Sequence, residues 1–189
     1  MYVHLIYIHI NMETLTKTIW AIDPTHSEVT FKVKHLVIST VTGTFNSFEG
    51  ALECDQEDFD QADASFSLDV NSIDTNVADR DAHLKSSDFF AADQYPTIQF
   101  NNGKLKKNGE KFELSGDLTI RDITKKVSLT ADYGGTMVDP YGQTKAGFEI
   151  NGVINRKDFG LNWSAVTEAG GIVVGDDVKL NLNIQVIKK

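Results

Sequence analysis

The sequence has little of several features that define common protein classes. Its 189 residues include three prolines and a single cysteine, Cys54. One thiol excludes an intrachain disulfide and any metal or cluster site built from several thiolates. Three prolines and 14 glycines exclude a collagen-like or proline-rich chain. Lysine and arginine number 18 against 27 acidic residues, which gives a formal charge of −9 and does not suit general binding to nucleic-acid phosphates.

The motifs of common catalytic and metal sites are also missing. The sequence holds no Gly-x-Ser-x-Gly nucleophile motif, no glycine-rich phosphate loop and no His-Glu-x-x-His zinc motif. His26, His35 and His83 are scattered along the chain. The acidic stretch 53–63 is more typical of a solvated loop than of a glycosidase carboxylate pair. We therefore expect no enzyme activity, no metal site and no cofactor.

The first ten residues, MYVHLIYIHI, form a short apolar run. A secretory signal would carry a Lys or Arg before this run and a small-x-small cleavage site after it, and neither is present. The run is also far shorter than the roughly 20 residues of a membrane-spanning helix. We predict that residues 1–16 are an extension (an extra strand, a tail or a start placed too early, with Met12 the true start) and that residues 17–189 form one domain. The cytoplasm is the expected compartment, with a periplasmic or secreted location as the alternative.

After residue 17 the dominant pattern is alternation of apolar and polar residues, which is typical of strands with one buried face. The alternating segments are Glu28–Lys34, Ala64–Val70, Phe112–Ile120, Val127–Tyr133, Ala146–Ile154 and Val178–Val186, with weaker examples at Trp20–Asp23 and Thr97–Leu105. Within Val41–Cys54 the alternation changes phase near Ser47, as an inserted β-bulge residue would cause. The segment Asp79–Phe90 does not alternate and is rich in helix formers, which predicts one short helix between strands.

About eight antiparallel strands of this kind must hide one continuous apolar surface. They can close into a barrel or stack as a two-sheet sandwich, and the alternation alone favours neither. A barrel of about eight strands is wide enough for side chains or for one small ligand. The predicted fold class is all-β, and exposed barrel edges would make a homodimer plausible.

Several separated motifs follow one another in a characteristic order. They are Trp20–Ser27 (WAIDPTHS), Asp79–Leu84 (DRDAHL), Tyr95–Phe100 (YPTIQF), Gly116–Arg121 (GDLTIR), Asn155–Leu161 (NRKDFGL) and Val174–Val178 (VGDDV). In this order and spacing the chain resembles the YceI-like, polyisoprenoid-binding family over roughly residues 17–187. Asp122 departs from the family pattern, which usually has glycine there.

The resemblance implies a single antiparallel lipocalin-like barrel whose apolar lumen holds an isoprenoid chain. It implies non-enzymatic binding, carriage or storage of an isoprenoid-type lipid or quinone, without stable insertion into a membrane. The alternative is a dry-cored β-domain that acts through its acidic surface as a protein-interaction or stress-response module. An organic-extractable ligand in the purified protein would separate the two.

Every second side chain of each strand faces the barrel interior, so the alternation predicts which residues line the lumen. Any antiparallel barrel carries such an apolar stripe, and only the family resemblance turns it from packed core into ligand lining. Aromatic side chains outside the strands, Trp163 in a loop and Phe89 and Phe90 after the helix, are expected to close one end of the lumen. The predicted lining is Phe31, Val33, Phe45, Phe66, Leu68, Phe100, Leu118, Ile120 and Phe148, with Phe89 and Trp163 at the end.

The three arginines of the chain, Arg80, Arg121 and Arg156, lie where the alternation stops. A guanidinium suits the geometry of a phosphate, so these residues are candidates for holding a ligand head group. Arg80 and His83, about one helical turn apart, are the best pair for this role. Each arginine also has an aspartate near it in sequence, which makes an Arg–Asp pair that pins a connection onto the barrel the simpler interpretation.

Overall fold

The computed structural model describes residues 17–55, 58–165 and 173–189. These residues form an antiparallel β-structure with one short α-helix, and the predicted all-β class is confirmed. The strands are β1 Thr18–Ile22, β2 Glu28–His35, β3 Ser39–Phe45, β4 Phe48–Cys54, β5 Ala62–Asp69, β6 Ile73–Asp74, β7 Thr97–Asn108, β8 Lys111–Ile120, β9 Ile123–Val138, β10 Thr144–Asn155 and β11 Val174–Lys188, and the helix, α1, is Ala78–Lys85. The predicted extension, residues 1–16, lies outside the described residues.

Eight strands close into a barrel. In order around the ring they are β1, β4, β5, β7, β8, β9, β10 and β11, and β1 completes the ring because it pairs with both β4 and β11. The structure therefore has the predicted barrel and not a two-sheet sandwich. The helix α1 lies between β6 and β7, as the break in alternation predicts.

Strands β2, β3 and β6 extend the ring at one end. The 15-residue strand β11 pairs with β1 near its own end, at Val186, and with β2 nearer its start, at Val178. Strand β2 then pairs with β3, and β3 with the short β6. The wall of the barrel is therefore taller on the side of β2 and β3.

The phase change near Ser47 is not a β-bulge, so that prediction is wrong. The chain changes neighbours there: β3 pairs with β2 and β6, whereas β4 pairs with β1 and β5. Backbone hydrogen bonds outside the ladders hold the break, from Asn46 to the Ser72 carbonyl and from Asp69 to the Ser47 carbonyl. A β-bulge within one strand and a change from one strand to the next both break the alternation, and only the partner strands distinguish the two.

The two ends of the barrel differ. We call the end with α1, the β8–β9 turn and the start of β11 the helix end, and the end with the β7–β8 and β9–β10 turns the hairpin end. At the hairpin end Phe59 is fully buried, with its ring centroid 5.0 Å from that of Trp20 and 5.1 Å from that of Phe148. Phe59 belongs to the acidic stretch that the sequence predicts to be solvated, yet its ring plugs this end. In the described part of the chain no helix is long and apolar enough to cross a bilayer.

Candidate ligand-binding cavity

An apolar cavity of about 220 Å³ lies inside the barrel. Among the described residues that line it, only Thr30, Ser65 and Arg156 are polar. Protein interiors rarely leave voids larger than a water molecule. Apolar cavities of about 150 Å³ stay free of water and bind small hydrocarbons. A cavity of this size and character is suited to an apolar ligand.

The residues that the alternation predicts to face inward agree well with the residues that line the cavity. Of the residues predicted to line the lumen, all but Trp163 lie on the wall. The prediction omitted the inward residues of β11, although their alternation is among the clearest in the sequence. It also omitted residues of the helix end, which no strand periodicity marks. The omitted wall residues include Leu84, Leu161, Val174, Val178, Leu180, Leu182, Ile184 and Val186.

Aromatic side chains cover the helix end of the cavity. Phe89 and Phe90 follow α1 and both line the wall. Trp163 lies behind this layer, half-buried, with its ring centroid 5.2 Å from that of Phe89 and 4.9 Å from that of His83. The strands are joined by ladders of backbone hydrogen bonds, whereas this cover is joined to the barrel by side-chain packing and by hydrogen bonds from Arg121 and Arg156.

Arg156 is buried at the end of β10 and all five of its N–H groups have acceptors. Its Nη1 donates to the carbonyls of Leu161 and Trp163, its Nε to that of Gly175, and its Nη2 to that of Val174 and to an Asp176 carboxylate oxygen at 3.3 Å. Burial lowers the pKa of the guanidinium, and Asp176 opposes that shift. Arg156 thus fastens the Trp163 segment to the start of β11, and its carboxylate partner is not the nearby Asp158 that the sequence suggests.

Arg121 lies in the β8–β9 turn with a left-handed φ of 58°. Its Nη1 lies 3.3 Å from the carbonyl oxygen of Phe89 and 3.5 Å from that of Gly160, and its guanidinium carbon lies 5.7 Å from the Tyr95 ring centroid. Its Nε is buried without an acceptor among the described residues. Arg121 joins the cover of the helix end to the barrel through carbonyls, and no ion pair with Asp122 forms.

Arg80 and His83 lie on α1 but have different partners. Arg80 donates from Nε to the Thr75 hydroxyl and from Nη2 to the Thr75 carbonyl, both at 2.7 Å. The Nε2 of His83 lies 2.9 Å from a carboxylate oxygen of Asp88. Neither side chain lines the cavity, and the described residues hold no cluster of potential metal ligands.

A polar network holds the corner between β1 and β2. The carboxylate of Asp23, which is 7% exposed, accepts hydrogen bonds from the Thr25 hydroxyl at 2.6 Å and from Gln185 Nε2 at 3.0 Å, and His26 Nδ1 lies 2.8 Å away. Burial raises the pKa of this carboxyl, but the hydrogen bonds lower it more, so the pKa lies well below its usual range. The network fixes the corner at which β11 changes partner from β1 to β2.

The family model described as the YceI-like domain matches residues 20–186. The chain belongs to the YceI-like domain family. A relative from Photorhabdus laumondii, the UPF0312 protein plu2095, is 40% identical over 134 residues, which cover 71% of this chain and 70% of the relative. The YceI-like match spans the whole barrel, from β1 to β11.

Two solved structures share the YceI-like barrel. BcnA from Burkholderia cenocepacia superposes with a TM-score of 0.75 at 21% identity, over 87% of this chain and 98% of that one. A structure described as a polyisoprenoid binding domain from Saccharophagus degradans has a TM-score of 0.63 at 13% identity, over 90% of this chain and 98% of that one. At these identities the likeness establishes the fold.

Proposed function

We propose that this YceI-like barrel binds an isoprenoid-type lipid or quinone in its cavity, without catalysis, and carries or stores it. The observation that carries the proposal is the cavity of about 220 Å³ inside the barrel, whose wall is almost entirely apolar. The description of the Saccharophagus degradans relative as a polyisoprenoid binding domain supports the choice of ligand class.

The chemistry of the wall fits a prenyl chain. Such a chain is a branched hydrocarbon, and each methylene moved from water into an apolar site contributes about 0.8 kcal/mol. The wall therefore needs no polar contacts to hold the tail. We propose that a polar head group lies at the helix end beside Arg80, His83 and Arg121. The fourth candidate, Arg156, lines the cavity, but all five of its N–H groups already have acceptors.

The other candidate function is that of a dry-cored interaction module working through its acidic surface. A dry core is expected to be filled to the density of other protein interiors. The cavity therefore favours the ligand-binding function, although the acidic surface remains compatible with either.

Native mass spectrometry of the purified protein, followed by organic extraction, tests the proposal. We expect a noncovalent adduct that disappears on denaturation and that yields a prenyl lipid or quinone in the extract. If the protein carries no adduct and also fails to take up a prenyl alcohol added in solution, the binding function is wrong and the interaction module takes its place.

A cavity-filling variant makes the test specific to the site. Ile98 points into the cavity from β7, and the neighbouring Gln99 is exposed. We expect Ile98→Trp to lower the affinity for the prenyl alcohol about tenfold, which corresponds to the loss of roughly two buried methylenes. Gln99→Trp adds the same ring to the outer face of the same strand and should leave the affinity unchanged.

A further inference from the structure

The turn between β2 and β3 exposes three consecutive aliphatic side chains. Leu36, Val37 and Ile38 are 37%, 73% and 86% exposed. Turns of this kind normally carry glycine or polar residues. The turn is held by hydrogen bonds that do not involve these side chains, from the Leu36 N–H to the Val173 carbonyl and from the Ser39 hydroxyl to the His35 carbonyl. Packing against the part of the chain that the structure describes therefore does not account for these aliphatic residues, which we call the apolar tip.

The backbone does not account for them either. Leu36 has a φ of 51° and Val37 a φ of 63°. This left-handed region suits glycine or asparagine and is strained for a β-branched residue such as valine. Val37 thus occupies a position where glycine would be more stable, which indicates that its side chain serves a purpose outside the fold.

The apolar tip lies at the helix end of the cavity. Val33, three residues before Leu36, lines the cavity wall. His35, the last residue of β2, pairs with Val174 of β11, which also lines the wall. The tip therefore continues the cavity wall outward, on the end that is covered by side chains and not plugged by Phe59.

Three lysines lie on the two strands that lead to the apolar tip, in a chain whose overall charge is −9. Lys32, Lys34 and Lys179 are exposed on the outer face of β2 and β11, and Lys32 stands directly opposite Lys179. Like charges in opposite positions destabilise a sheet. Of the neighbouring carboxylates, Asp176 is engaged in ion pairs and Asp177 is exposed. On this part of β2 and β11 the three lysines therefore outnumber the one carboxylate without an ion pair to another described residue, Asp177.

We infer that the apolar tip and its lysines dock this barrel on an anionic lipid bilayer, with the helix end of the cavity facing the membrane. Aliphatic side chains that enter the interface contribute through burial, and each nearby lysine is attracted to anionic lipid. This inference rests on the proposed function, because a bilayer is the place where a prenyl ligand would be taken up or released.

A bilayer fits the surface better than a protein partner does. A stable protein interface buries about 800 Å² on each partner, and a tip of three side chains does not supply that area. The surface of an anionic bilayer supplies both the complementary charge and the apolar layer beneath it.

Flotation with lipid vesicles tests the docking. The vesicles are an equimolar mixture of phosphatidylglycerol and phosphatidylcholine, or phosphatidylcholine alone. We expect the wild-type chain to float with the anionic vesicles and to be released by high salt. Val37→Asp combined with Ile38→Asp should lower the partition coefficient at least about tenfold, and Lys32→Glu combined with Lys34→Glu should lower it by a similar factor.

The hairpin end supplies the matched control. Met137 and Val138 are 66% and 61% exposed at the opposite end of the barrel, so Met137→Asp combined with Val138→Asp makes the same chemical change away from the tip. This variant should float like the wild type. A further variant, Val37→Gly, relieves the left-handed valine and should raise Tm while it lowers vesicle binding, a result that misfolding does not mimic.

Three results would overturn the docking: a wild-type chain that does not float with anionic vesicles, a tip variant that floats as well as the wild type, or a wild-type dimer that the tip substitutions dissociate in sedimentation velocity.

Uptake of a prenyl alcohol in solution, without vesicles, separates this inference from the proposed function. Tip variants should keep that uptake. Loss of uptake in the wild type would reject the proposed function, whereas loss of flotation alone would reject the docking.

Discussion

The ring of Phe100 fills the place that a side chain at Gly116 would occupy. A Cβ added to Gly116 would lie 2.4 Å from Cζ of Phe100, which is closer than real Cβ contacts allow. The two residues lie on the neighbouring strands β7 and β8, at inward positions, and Phe100 belongs to the cavity wall. The glycine therefore lets the aromatic ring lie along the wall and leaves the cavity open.

This contact gives the first prediction. Gly116→Ala should move the Phe100 ring into the cavity, lower the free energy of unfolding by about 1 to 3 kcal/mol and weaken the binding of a prenyl alcohol. Gly147→Ala is the matched control, because a Cβ at Gly147 meets nothing within 4 Å. Chemical denaturation and a binding titration check both variants. Equal affinities in the two variants would contradict the role of Gly116 in keeping the cavity open.

The inside of the barrel was predictable from the sequence because strand parity is a local property. Phe100 and Leu118 stand directly opposite each other on β7 and β8, and each is assigned to the inner face by its own alternation. The alternation required a common interior for about eight one-sided strands, whereas the choice of a barrel over a sandwich came from the family resemblance. The alternation does not indicate whether that interior is packed or hollow, because this depends on how rings such as Phe100 lie against residues that are distant in the sequence.

What the sequence did not reveal depends on partners far away in the chain. Four of the five acceptors of Arg156 are main-chain carbonyls, whose positions do not follow from residue type, and the fifth is a carboxylate oxygen of Asp176. The nearest aspartate in sequence, Asp158, was therefore a poor guide. Phe59 looked solvated because its neighbours are acidic, although its ring closes the barrel. The apolar tip at Val37 and Ile38 reads as ordinary strand sequence, and its exposure becomes visible only when the turn is located.

The Asp23 network predicts a pH dependence of stability. Folding lowers the pKa of Asp23 from its ordinary value near 4, so the ionised carboxylate stabilises the fold at neutral pH. That contribution is lost as the pH falls below about 4 towards the folded pKa. Asp23→Asn should therefore cost about 1 to 3 kcal/mol at pH 7, and the difference from the wild type should shrink in acid.

Denaturant unfolding between pH 7 and pH 3 measures this difference. Asp93→Asn is the control, since Asp93 is exposed and its side chain has no hydrogen bond or ion pair with another described residue. It should follow the wild type at every pH. A stability difference for Asp23→Asn that stays constant down to pH 3 would show that its carboxylate charge is not what holds the β1–β2 corner.

A substitution at Arg80 can distinguish a head-group role for this residue from a purely structural role. Its two hydrogen bonds to Thr75 tie α1 to the segment after β6, so Arg80→Ala should lower the free energy of unfolding by about 1 to 3 kcal/mol. If pinning is its whole role, the ratio of affinities for a prenyl diphosphate and the matching prenyl alcohol stays unchanged. Calorimetric titration of both ligands measures the ratio, and a selective loss of diphosphate affinity would instead assign Arg80 to the head group.

The two tryptophans of the chain report on opposite ends of the cavity. Trp20 packs against Phe59 at the hairpin end, whereas Trp163 packs against His83 and Phe89 at the helix end. A ligand that passes the helix-end cover must displace Phe89, which lines the wall and touches Trp163. The fluorescence of Trp163 should therefore respond to the ligand, and that of Trp20 should not.

The sequence holds two tryptophans, so Trp20→Phe and Trp163→Phe each leave one tryptophan as the fluorescent reporter. Adding a prenyl alcohol to the Trp20→Phe protein should shift the emission of Trp163 and change its quenching by acrylamide. The Trp163→Phe protein, which keeps Trp20, should bind the ligand with little spectral change. A response from Trp20 alone would mean that the ligand passes the Phe59 plug, and it would place the opening at the hairpin end, away from the apolar tip.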